Sequence, residues 1–262
     1  MSLTKRSYNK KLNWSDVENF SLNECYVHYT WETMIQELFQ DKERKQRIED
    51  KINEEKQNFP EKLYPKPDYI FRAFQMTPLH RTKVIFIGQD PYFNCEVYKT
   101  DNVPQAYGLS FSVPYNFKTP SSLDNIYKNL IKFTHFKSKP EHGCLDHWAR
   151  QGCLMLNTSL TVRDGQKNCH SNLWRTFTDD IIKYINNNLD YVVFILWGAE
   201  AFKKVNMIDL DKHDIIVSSH PSGFSVDKKM GSHEAFSNVD HFGKINKYLN
   251  SHKKTPIDWN LN

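Results

Sequence analysis

The chain has 262 residues, 39% of them hydrophobic and 14% aromatic, enough to build one large core without disulfides or metal. Its 35 Lys and Arg against 31 Asp and Glu leave a formal charge of +4, which fits a nucleic-acid partner or an ordinary soluble protein and argues against histone-like wrapping. The five cysteines (Cys25, Cys95, Cys144, Cys153 and Cys169) are odd in number and form no C-x-x-C pair. That disfavours a disulfide framework or zinc ribbon and points to a reducing, intracellular setting, nucleus or cytoplasm.

Residues 1–24 read as a polar arm whose order the residues leave open, without the apolar stretch of a secretory signal, and residues 25–262 as a single domain. No apolar run approaches the roughly 18 residues of a membrane span. Trp31, Met34, Ile35, Leu38 and Phe39 repeat at helical spacing, predicting an amphipathic helix over Thr30–Phe39 with Thr30 as its cap. Lys42–Asn58 is almost all charge and amide and reads as a solvated helix and connector. Pro60, Pro65, Pro67 and Pro78 then mark chain that wraps a core in short turns.

From Thr82 onward short apolar runs alternate with helical patterns. The runs are Val84–Ile87, Cys153–Leu156, Val192–Leu196 and Ile215–Val217, unalternated as buried parallel strands are. Helices are expected over Ser122–Lys132, Leu173–Asn187, Ala199–Asn206 and Phe242–Leu249. The expected fold is therefore α/β, with a central four-stranded, mostly parallel sheet flanked by helices. Ligands of such sheets sit at the carboxyl ends of the strands. Gly88-Gln89-Asp90-Pro91-Tyr92, Asn157-Thr158, Trp197-Gly198 and Ser218-Ser219-His220-Pro221-Ser222 follow the four runs, so a carboxylate, an amide and an imidazole share one edge. Neither G-x-G-x-x-G nor a Walker A motif is present, nor the zinc-deaminase pair of motifs.

Those strand ends, with Gln105-Ala106-Tyr107-Gly108-Leu109-Ser110-Phe111-Ser112, Leu160-Thr161-Val162-Arg163 and Pro256-Ile257-Asp258-Trp259, closely resemble family 1 uracil-DNA glycosylase, in the family's order from about Trp31 to Trp259. The resemblance implies an enzyme that hydrolyses the N-glycosidic bond of flipped deoxyuridine in single- or double-stranded DNA, with no cofactor and no metal. It implies that Asp90 positions the attacking water and faces the cation-like sugar, and that His220 donates to the uracil oxygen where charge builds. It makes the Gln89 backbone, Phe111 and Asn157 the uracil contacts, with Tyr92 excluding the methyl group of thymine. Pro91, Ser122, Ser222 and Ser225 become phosphate-loop residues. Two other readings stand beside this one: the same fold with a different damaged pyrimidine, and a DNA- or protein-binding homologue without catalysis.

Three departures from the family pattern carry expectations. Phe93 stands where the family usually has His after D-P-Y, and its ring offers no conventional hydrogen bond, so weaker phosphate contact or slower chemistry is expected. Gly223-Phe224-Ser225 replaces Pro-Leu-Ser, which makes Phe224 the expected wedge in the DNA stack. Residues 94–104 and 228–240 form longer loops flanking the expected groove, as candidate contacts for DNA or a protein partner. The chain is expected to act as a monomer.

Overall fold

A computed structural model describes residues 12–98 and 101–261. In chain order it holds α1 (Glu32–Leu38), α2 (Lys42–Asn58), β1 (Leu63–Tyr64), α3 (Arg72–Met76), β2 (Val84–Gly88), β3 (Cys95–Tyr98), β4 (Asp101–Pro104), α4 (Ser121–Lys132), α5 (Asp146–Arg150), β5 (Cys153–Asn157), β6 (Val162–Arg163), α6 (Ser171–Asn188), β7 (Val193–Trp197), α7 (Ala199–Phe202), β8 (Asp214–Ser218) and α8 (His241–Ser251).

The central sheet runs β5-β2-β7-β8, every pair parallel. β2 is buried along its whole length, and so is β7, as their continuous apolar sequence requires. The register brings Gly88 of β2 beside Asn157 of β5 and Trp197 of β7 beside Ser218 of β8, so the four strands end at one level. Helices close over the sheet with apolar stripes at the spacing read from sequence: Leu123, Ile126, Tyr127 and Leu130 in α4, Trp174, Phe177, Ile181, Ile182 and Ile185 in α6, and Phe242, Ile245 and Leu249 in α8. Asp240 caps α8 by accepting from the Gly243 N–H at 2.9 Å. No helix among the described residues is long and apolar enough to cross a membrane.

Several expectations are corrected. The polar arm is packed chain from Leu12 on: Trp14 donates to the Pro65 carbonyl at 3.0 Å, and the Leu22 N–H donates to Glu49 at 2.7 Å. Its first eleven residues lie outside the described residues. α2 is not merely solvated. Arg44, Ile48, Glu49, Ile52 and Glu55 form a buried stripe, with Arg44 donating to Asp180 of α6 at 2.6 Å. The helix expected from Thr30 starts as a 3-10 turn, Tyr29–Trp31, before α1. Thr30 does not cap it but accepts from the Leu79 N–H at 2.9 Å. Within the expected loop at 94–104, β3 and β4 pair as antiparallel strands, and the helix expected over Ala199–Asn206 passes into a 3-10 turn after Phe202.

Candidate active site

The site is built where the four strands end. Asn157 closes β5, and its amide lies over Gly88, where an added Cβ would sit 2.1 Å from Asn157 Oδ1. Glycine at 88 is thus what lets the amide occupy that position. The turn that follows is tied across the sheet, since the Gln89 carbonyl accepts from the Ser159 N–H at 2.9 Å and the Thr158 hydroxyl at 2.8 Å. A methyl group at position 88 would displace the amide, and misplacing a reacting contact by about 1 Å costs roughly 100-fold in rate. For Gly88→Ala a loss of that order is expected in uracil release, with free uracil inhibiting more weakly. Unchanged values for both would show that the amide has room to move.

Asp90 follows at the end of the β2 turn. Its Oδ2 accepts from the Asn168 N–H at 2.8 Å. Burial pushes its carboxyl above the usual range, offset in part by that N–H and by the Lys167 ammonium. His220 lies beyond β8. Its Nδ1 accepts from the Ser222 N–H at 3.0 Å, so in the neutral ring the proton is on Nε2. Burial, aided by the Lys167 charge, lowers its pKa to about 4. The imidazole is therefore neutral at physiological pH and presents a donor. Gly198 leaves room for it: a Cβ there would meet His220 Cβ at 3.0 Å, and its φ of +89° favours glycine.

Phe111 has a φ of 63°, a left-handed conformation that costs a non-glycine residue about 1–2 kcal/mol. Leu109–Val113 lies outside every strand. The turn carries Phe111 out of the core, its ring 5.5 Å from Trp197 and 6.0 Å from His220, centroid to centroid. Trp197 is a buried prop, its indole N–H donating to His241 Nδ1 at 3.2 Å. The Tyr92 hydroxyl donates to the Phe111 carbonyl at 3.2 Å, and burial raises its pKa.

The loop after His220 is knotted by serines. Ser225 Oγ donates to the His220 carbonyl at 2.9 Å and lies 2.9 Å from Ser222 Oγ. Asn125 of α4 donates to the Pro221 carbonyl at 2.8 Å, so Ser122, in the first turn of α4, and the serine loop belong to one rigid wall. From that wall Phe224 projects, 89% exposed, not tucked into the core. Pro91 is buried in the turn between Asp90 and Tyr92. Phe93 packs against the small cluster of Tyr64, Ala106 and Val162.

Sequence reasoning missed three parts of the site. The backbone N–H of Asn168 carries no signature in residue type. Lys167 is one lysine among many. Glu55 sits in a charge run, yet it is 1% exposed and accepts from Arg163 Nε at 2.7 Å. It also lies 3.7 Å from His170, so it is fixed to the start of the loop that holds Asp90 through Arg163 and lies close to the loop's far end. The signal was its place on the buried stripe with Ile48 and Ile52.

A doubly covered parallel sheet with a half-buried carboxylate, an amide and a neutral histidine donor around an aromatic platform defines an enzyme site of the glycosylase type. The model of the Uracil DNA glycosylase superfamily matches residues 74–250, and the chain belongs to that family. It is 42% identical over 212 residues to a probable uracil-DNA glycosylase of Acanthamoeba polyphaga mimivirus, a match spanning 77% of this chain and 56% of the relative. It is 46% identical over 201 residues to the uracil-DNA glycosylase of Francisella philomiragia, spanning 76% and 85%. A variant of mimivirus UNG, solved in complex with UGI, superposes with a TM-score of 0.90 at 36% identity and 97% coverage of both chains.

Proposed function

We infer that the protein removes uracil from DNA by hydrolysing its N-glycosidic bond, leaving an abasic site for base excision repair. The observation that carries this is the pairing, at one sheet edge, of a half-buried carboxylate with a neutral histidine whose proton is on Nε2. Breaking the bond makes the sugar cation-like and the base anion-like. Asp90 stabilises the sugar and orients water, and His220 donates to the leaving oxygen, so the two groups serve opposite ends of one transition state. A neutral donor suffices for that second task. Phe111 stacks on the flipped base, worth about 1–3 kcal/mol. Asn157, with one donor and one acceptor, reads its edge. Tyr92, fixed by its bond to the Phe111 carbonyl, blocks a 5-methyl group. The Gln89 backbone completes the pocket.

Pro91, Ser122, Ser222 and Ser225 supply the phosphate-facing turns, and Phe93 supplies no donor among them. Phe224 enters the stack vacated by the base. For Phe224→Ala, release of uracil from duplex DNA is expected to fall about tenfold or more, from a stacking contact worth about 1–3 kcal/mol. Release from single strands stays near wild type. Equal rates on duplex for the variant and wild type would remove the wedge from the mechanism.

The chain acts as a monomer in a reducing, intracellular setting, nucleus or cytoplasm. The hairpin at 94–104 and the segment 228–240 are its surfaces for protein partners, the general class represented by UGI on the mimivirus relative. The test is uracil release from a labelled oligonucleotide at neutral pH without added metal. Release of a different modified pyrimidine would reassign the substrate, and salt-dependent binding without any base release would make the chain a binding protein.

A further inference from the structure

We propose that Lys167 is a DNA-phosphate contact at the mouth of the cleft, holding the backbone beside the extruded nucleotide. The proposal rests on the uracil-excision reading and adds to it a residue of the 164–170 loop. That loop, between β6 and α6, is pinned along its length. The Asp164 N–H donates to the Lys62 carbonyl at 2.7 Å and the Gly165 N–H to the Phe93 carbonyl at 2.8 Å. The Asn168 N–H holds Asp90, and Glu55 holds Arg163 at the start of the loop.

From this fixed frame one long cation projects. Lys167 is exposed and has no ion pair or hydrogen bond among the described residues. Lys128 and Lys139, by contrast, are engaged with Asp124, and Lys229 with Glu234. Its immediate neighbour touches the Asp90 carboxylate, and its charge acts on both Asp90, at the end of β2, and His220, beyond β8. Lys167 is thus an exposed cation one residue from the amide that holds the Asp90 carboxylate. A phosphodiester approaching an ionised Asp90 is repelled. A free ammonium with three donors on the same rim offsets that repulsion and suits a phosphate as a point charge. Phe93, anchored through its carbonyl to the same loop, brings no charge to the position.

The test uses an oligonucleotide duplex carrying a non-hydrolysable 2′-fluoro deoxyuridine, with binding measured over a range of salt for wild type, Lys167→Ala and Lys167→Arg. Losing one phosphate contact lowers the magnitude of the slope of log K against log salt by about 0.9 for duplex DNA. The alanine variant is expected to show that drop, equally for duplexes of different sequence, with the arginine variant near wild type. On the cleavable duplex, KM rises. An unaltered slope in the alanine variant overturns the proposal, as does a fall in kcat with slope and KM intact, which would place the charge in the chemistry. Absence of uracil release by wild type would instead defeat the excision reading, while the salt slopes would still decide whether Lys167 meets phosphate.

Discussion

Asp90→Asn is expected to lower the rate of uracil release by about 10²–10⁴-fold, the range for removing a positioned base from a transition state. The substitution is nearly isosteric and its amide oxygen still accepts from the Asn168 N–H, so the loss reports charge and basicity rather than collapse of the turn. Single-turnover release with the variant saturating the DNA separates this from binding. A loss smaller than tenfold would mean that Asp90 is not the group facing the sugar. The pH profile of the wild type gives a second check. Burial raises the Asp90 pKa, and the residue works as an anion. Activity therefore falls as pH drops through a value above the ordinary carboxylate range, while His220 stays neutral to about 4. The acid limb belongs to Asp90 and is expected to be displaced to lower pH in the residual activity of the variant.

His220→Asn isolates the other end of the transition state. An asparagine oxygen can accept from the Ser222 N–H as Nδ1 does, while the shorter side chain carries no donor to the place of Nε2. The serine loop keeps its shape and the oxyanion loses one hydrogen bond. The expected cost is about 2.7–4 kcal/mol, or 10²–10³ in kcat, with DNA affinity little altered. A variant that loses affinity and keeps kcat would assign His220 to binding alone.

How much of this was legible in residue types differs from element to element. β2 and β7 are buried along their whole length and β5 nearly so, so their sequences are continuous apolar runs, and with the shorter apolar run of the half-buried β8 all four strands were read almost to the residue. The polar groups at their ends stood out because each follows such a run directly. Glu55 and Arg44 were hidden because a helix buries a narrow stripe, and charged residues on that stripe are compensated by Arg163 and Asp180, partners far away in sequence. The hairpin β3–β4 has little alternation to announce it. The left-handed turn at Phe111 was invisible for a different reason: its backbone conformation goes against the preference of the residue that adopts it. The amide of Asn168 belongs to the backbone, which every residue shares, so no reading of side chains selects it.

Glu55 lies outside the span 74–250 that marks the family, as do Trp31, which donates to the Thr77 carbonyl at 2.8 Å, and Trp259, whose carbonyl accepts from Trp148 at 2.8 Å. The recognisable core is thus walled and charge-balanced by chain on either side of it. Removing one partner of a buried ion pair costs about 3–5 kcal/mol, and Glu55 is that partner for Arg163 at the start of the loop that holds Asp90. The catalytic loop is thus ballasted from more than a hundred residues earlier in the chain, and its footing is laid before any part of the site itself has appeared in sequence.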